Sequence, residues 1–138
     1  MNFSDKAQDA EAIAKQFEEA SEWYAKGNMF EFQKYLSPTV IVIAPESATA
    51  KGSDATANAA RDIHHEYRVT ENPIKNGPLD FIVQKPDMAV FTFRTISRNQ
   101  SGEVLNNHRS LHVWRKNKNT WKQQVVIFNH LPRDYFPF

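Results

Sequence analysis

Residues 109–130, RSLHVWRKNKNTWKQQVVIFNH, decide the fold. Two runs rich in β-branched and aromatic residues flank the polar segment Lys116–Thr120, with Trp114 and Trp121 bracketing it. That pattern predicts two antiparallel strands joined by a turn. Side chains alternate along a strand, so His112 and Trp114 share one face while Arg109 goes with Leu111 and Val113 on the other, unless a bulge intervenes. The run 125–128 is apolar on both faces. Such a sheet needs cover on both sides, helices on one and a second layer or a partner subunit on the other. Polar groups held inside it are candidates for lining a pocket.

Working upstream, the same reading predicts strands over Leu79–Gln84, Met88–Arg98 and Glu103–Arg115, with a last strand over Trp121–Asn129. The separators Lys85-Pro86-Asp87 and Asn99–Gly102 carry turn residues. The N-terminal part is helical. Ala10, Ile13, Phe17, Ala20 and Tyr24 recur at spacings of 3 and 4, one stripe of an amphipathic helix over Asp5–Lys26, which Gly27 ends. Asn28 and Glu31 predict the cap of a short helix through Leu36, which Pro38 stops. A strand is expected over Val40–Ala44, a short return strand over Ala48–Lys51, a third helix from Ala55 to Tyr67, and a loop over Asn72–Pro78. Helices first and strands later indicate an α+β fold with the helices on one face of a curved antiparallel sheet.

Composition bounds the function. The 138 residues fit one domain, 1–138, large enough for a core and a small cavity. Lys and Arg total 17 against 16 Asp and Glu, so no basic surplus points to nucleic acid. The absence of cysteine removes disulfides, thiolate metal sites and cysteine nucleophiles. The N-terminal segment is charged and amphipathic, unlike a secretory signal, and no apolar run reaches the roughly 20 residues of a membrane span. A cytoplasmic protein without membrane association is the expectation.

Four stretches then resemble the NTF2-like superfamily, more narrowly its SnoaL-like and DUF4440-type branches. They are the helix end WYAKGN (23–28) followed by YLSPTVIV (35–42), the turn and helix start IAPESATAKGSDA (43–55), the strand DMAVFTFRTISR (87–98), and the hairpin RSLHVWRKNKNTWKQQVV (109–126). The resemblance covers nearly the whole chain in order. It implies a cone-shaped α+β barrel whose helices close the wide end over a pocket. It also implies a homodimer formed through the outer face of the sheet, with Val126, Phe128 and the FPF tail between subunits.

The resemblance constrains chemistry. Ketosteroid-isomerase-like members place an aspartate just before the turn proline as base; here that position is Ala44, before Pro45, and alanine accepts no proton. The nearest carboxylate is Glu46. The helix-1 tyrosine of those enzymes falls near Ala20, with Tyr24 one turn on. A dehydratase-like site would draw on His112, His64, His65, Tyr24 and Tyr67. His112 and Arg94 lie near positions where the kinase association domain of this superfamily carries pocket arginines, and as a pair they would bind a carboxylate. The expected pocket is Trp23, Tyr67, Arg94, His112 and Trp114, with His112 the candidate catalytic group. Each histidine has an ordinary structural reading beside this one, and Arg94 is equally readable as facing solvent or a dimer partner. No metal site is expected: His64 and His65 point roughly 100° apart on a helix, and His108 and His112 are about 13 Å apart along a strand. No cofactor motif is present. Two functions follow: a protein that binds a small molecule, with or without lyase- or isomerase-type chemistry, and a non-catalytic homodimeric interaction module.

Overall fold

In the computed structural model, which describes residues 3–44, 48–66, 74–99 and 101–130, helices lie across the inner face of a strongly curled mixed sheet. Helix α1 spans Phe3–Ala25, α2 Met29–Phe32 with a 3-10 turn over Gln33–Tyr35, and α3 Ser53–Glu66. The strands are β1 Leu36–Ile43, β2 Ala50–Lys51, β3 Ile74–Asn76, β4 Asp80–Lys85, β5 Met88–Arg98, β6 Val104–Asn117 and β7 Thr120–His130. Their order across the sheet is β2-β1-β7-β6-β5-β3, with β4 also on β5. No helix among the described residues is long and apolar enough to cross a membrane.

The local signals explain most element ends. The α1 stripe turns inward, with Ile13 and Ala20 fully buried and Phe17 half-buried. Gly27 takes φ 75°, and a Cβ there would stand 3.0 Å from the His64 ring, so the residue that ends α1 also makes room for α3. His64 in turn bonds the terminal carbonyl of Ala25 through Nε2 at 3.0 Å. Asn28 Oδ1 caps α2, accepting the Glu31 N–H at 3.1 Å.

Three elements depart from expectation, the first being the end of the second helix: Leu36 and Pro38, expected to close it, lie in β1. β1 runs parallel to β7, so the sheet is mixed and not wholly antiparallel. A parallel neighbour needs a long crossover, and here everything from β2 to β6 supplies it. The expected loop 72–78 contains β3, whose three residues are too few to show a period.

The inner face is set by cross-strand pairs. Ala89 faces Trp114, Phe91 faces His112 and Phe93 faces Ser110, all on the side of α1. With Ile13 and Trp121 the apolar members form one buried cluster, and Phe17, Leu79 and Phe81 pack against it. A second cluster of Met29, Ala57 and Ala60, flanked by Tyr24 and Phe32, joins α2 to α3.

The β6–β7 turn carries strain that a substitution can release. Lys118 and Asn119 hold φ of 52° and 66°. Both central residues of this two-residue hairpin are thus left-handed, a geometry that suits Asn-Gly and costs a lysine about 1 kcal/mol. The double change Lys118→Asn, Asn119→Gly should raise the urea midpoint of unfolding by about that free energy; a lowered midpoint would show that the lysine makes a compensating contact.

Candidate functional site

β6 presents His112 and Trp114 to the interior, as their alternation predicts. Trp114 is 0% exposed and His112 5%. The indole N–H of Trp114 donates to His112 Nδ1 at 3.1 Å, which leaves the ring proton of the neutral imidazole on Nε2. Phe91 stacks on the imidazole at 5.4 Å, and Phe93 and Phe17 close on it at 4.9 and 5.7 Å. Burial among these rings pushes the His112 pKa down to about 3. At neutral pH the side chain is therefore uncharged and a weak base. The space inside the cone at this level is filled by aromatic rings.

Arg94 is on the opposite face. It pairs directly with Arg109 across β5 and β6, whereas Phe91 pairs with His112. An odd separation on a strand puts two side chains on opposite sides, so Arg94 and His112 do not converge on one ligand. Trp23 lies half-buried near the end of α1, with Lys26 Nζ 5.0 Å from its ring centre. Tyr24 packs on Phe32 and His64 in the second cluster, and burial raises its pKa to about 12. Tyr67, Glu46 and the FPF tail lie outside the described residues. Among the described residues no group of three His, Asp or Glu side chains is placed to hold a metal.

Around Arg94 the sheet opens into a groove of about 620 Å³, lined by Asn76, Gly77, Pro78, Asp80, Thr92, Phe93, Arg94, Ile96, Arg98 and Arg109. Its origin is a break in the edge. Asn76 pairs with Thr95 and Asp80 with Thr92, so residues 77–79 stand opposite only 93 and 94. The extra residue bows the edge away from the ladder. Gly77 N–H still donates to the Arg94 carbonyl at 2.7 Å, and a Cβ on Gly77 would stand 3.4 Å from that oxygen. Arg94 is 7% exposed, and its Nε donates to Asn107 Oδ1 at 2.9 Å. Deeper on the inner side, Thr95 donates to Asn76 Oδ1 at 2.8 Å and Asn76 Nδ2 to Ser21 Oγ at 3.4 Å, tying β3 to β5 and α1. Arg98 was legible only as a charged strand end, and Arg109 as an outward side chain. Their common face with Arg94 is the signal that joins them.

No family model matches the chain, and no curated protein matches it. Solved structures do. An NTF2-like protein with a cystatin-like fold from Novosphingobium aromaticivorans is 18% identical, covering 91% of this chain and 83% of its own, with a TM-score of 0.79. A ketosteroid isomerase-like protein from Erwinia carotovora atroseptica is 14% identical over 83% of this chain and 93% of its own, TM-score 0.63. A candidate calcium/calmodulin dependent protein kinase II association domain from Xanthomonas campestris is 14% identical over 88% and 86%, TM-score 0.67. At these identities the likeness is one of fold: the chain has the NTF2-like, cystatin-like α+β cone.

The buried imidazole gives stability a pH dependence. The folded pKa is about 3 against 6.5 for a free histidine. The stability that neutral His112 contributes is therefore complete above about pH 6.5 and declines as the pH falls toward 3, where the unfolded chain binds the proton more readily. The full difference is on the order of 5 kcal/mol. Between pH 6.5 and 4 the urea midpoint of the wild type should fall more steeply than that of His112→Gln, which keeps an acceptor for Trp114. Equal slopes would mean that His112 titrates as it does in water.

Proposed function

We propose that this chain binds a small molecule in the outer groove, with Arg94 the member of the expected pocket set that meets it. The observation carrying this reading is the groove itself. Its volume of about 620 Å³ falls in the range of small-ligand pockets, roughly 300–1,000 Å³. Its wall is mainly apolar with a few converging polar groups, the usual composition of such sites. His112 and Trp114 enter as the packing that stiffens the sheet from behind. Lyase- or isomerase-type chemistry on the bound molecule is the extension of this reading. Among the described lining residues Asp80 is the one carboxylate, the residue type that could serve as a general base, since the others are arginines or uncharged.

A second reading, the homodimeric interaction module, has its own support. Two rows of side chains cross four strands on the outer face: Ile43, Ile127, Leu111 and Thr92, and Ile41, Val125, Val113 and Val90. All are half-buried or exposed, with Ile43 40% exposed. A continuous aliphatic band of this kind marks an interaction surface. Val126 and Phe128 are not part of it. They pair with His112 and Ser110 on the inner face, so Val125 and Ile127 take the outward role expected of them.

In a thermal-shift screen of small neutral and acidic compounds, hits on the wild type should be lost in Thr92→Trp, which fills the groove, and kept in Thr92→Val. A screen without hits, or hits that Thr92→Trp retains, would remove the groove as the ligand seat. For the second reading, sedimentation at micromolar concentration should show a dimer that Ile127→Lys converts to monomer; a monomeric wild type would overturn it.

A further inference from the structure

We infer that Asn76 is a site of spontaneous modification: when β3 lifts from β5, the Gly77 backbone nitrogen attacks its side-chain amide and converts it to aspartate or isoaspartate in the wall of the groove.

The sequence supplies the reacting pair. Asn76-Gly77 is the one Asn-Gly dipeptide in the chain. Ring closure needs the backbone nitrogen that follows an asparagine to reach the side-chain carbon Cγ. A glycine, with no Cβ, neither shields that nitrogen nor restricts the rotation that brings it round. The chemistry balances with water as the one co-reactant. The Gly77 nitrogen gives up its proton and bonds to Cγ, the Cγ–Nδ2 bond breaks, and ammonia leaves. Water then opens the five-membered imide at either carbonyl, giving aspartate or isoaspartate.

The fold withholds both reactants. Gly77 N–H donates to the Arg94 carbonyl at 2.7 Å, which occupies the nucleophile. Asn76 Oδ1 accepts from Thr95 Oγ1 at 2.8 Å, and Nδ2 donates to Ser21 Oγ at 3.4 Å. Both ends of the amide are thus anchored to β5 and α1. The hold is local and slight. β3 is three residues long, ends the sheet order, and is followed at once by the bowed residues 77–79. Asn76 and Gly77 are each only half-buried. Short edge elements with few buried contacts open far more often than the whole domain unfolds. Opening β3 breaks the Gly77–Arg94 bond and the Thr95 anchor together, because both join the same two strands.

The product changes the groove. Asn76 and Gly77 both line it. Isoaspartate routes the backbone through the side-chain carbon and so adds a methylene at position 76. That extra length moves the Gly77 N–H out of register with the Arg94 carbonyl, and a carboxylate replaces a neutral amide in the wall.

The test holds the full chain at mildly alkaline pH, folded and in denaturing urea, and locates products by peptide mass mapping with isoaspartyl labelling. Product should appear first at Asn76, and at least roughly tenfold more slowly in the folded chain than in urea. The double change Ser21→Ala, Thr95→Val removes the side-chain anchors and should speed the folded reaction. Gly77→Ala should slow the reaction in urea, where fold plays no part. First product at another asparagine, or an unfolded chain inert at Asn76, would overturn the site. Equal rates folded and unfolded, no folded reaction at all, or a double variant as slow as wild type would overturn gating by β3. The thermal-shift hits of the groove screen should be lost in the purified isoaspartate form. That arm alone rests on the groove as ligand seat, and hits retained there would overturn the reshaping of the groove while the mapped site stands.

Discussion

The packing of Trp114 and Phe91 against α1 decides everything else about this sheet. Both side chains are 0% exposed, and neither could turn outward without emptying the core. Because strand side chains alternate, fixing these two fixes the facing of β5 and β6 along their common ladder. His112 is carried inward with them, between Phe17, Phe91 and Phe93. Arg94, Arg109, Leu111 and Val113 are carried outward. A slip of one residue would bury two guanidinium groups among aromatic rings, at a large desolvation cost.

The same packing explains why the cone is filled and the groove lies elsewhere. Trp114 and the three phenylalanines occupy the inner face, and the imidazole that could have offered chemistry there is held neutral by burial and by the Trp114 N–H. On the outer side, space arises from a mismatch in chain length. β5 takes β4 as partner along its first half and β3 along its second, and residues 77–79 exceed the two residues they face. Gly77 and Pro78 sit in that excess: the glycine leaves the Arg94 carbonyl reachable, and the proline demands no ladder acceptor for its nitrogen.

Much of this was legible in the sequence, and the reasons for the rest are physical. The α1 stripe, the Asn28 cap, the Gly27 stop and the three long strands follow from periods of 3.6 and 2 over many residues. The split of His112 from Arg109 also follows from alternation. The parallel pairing of β1 with β7 does not, because it joins residues some eighty positions apart and leaves no local mark. β3 is three residues long and depends on β5 for its existence. For Arg94 the needed signal was parity with Thr92 and Ile96 rather than nearness to Phe93. The sequence shows that parity but does not say which of the two sets turns inward, since both hold apolar residues. That choice is what separates Arg94 from His112 and Trp114.

Thr92 belongs to both features of the outer face. It ends one aliphatic row, in register with Leu111, Ile127 and Ile43, and it lines the groove. A second copy seated on the rows would stand at the groove's edge and shield the arginines from water. Ligand binding and self-association through this face would therefore be coupled through Thr92: whatever factor a bound molecule applies to association, association would by linkage apply to the bound molecule.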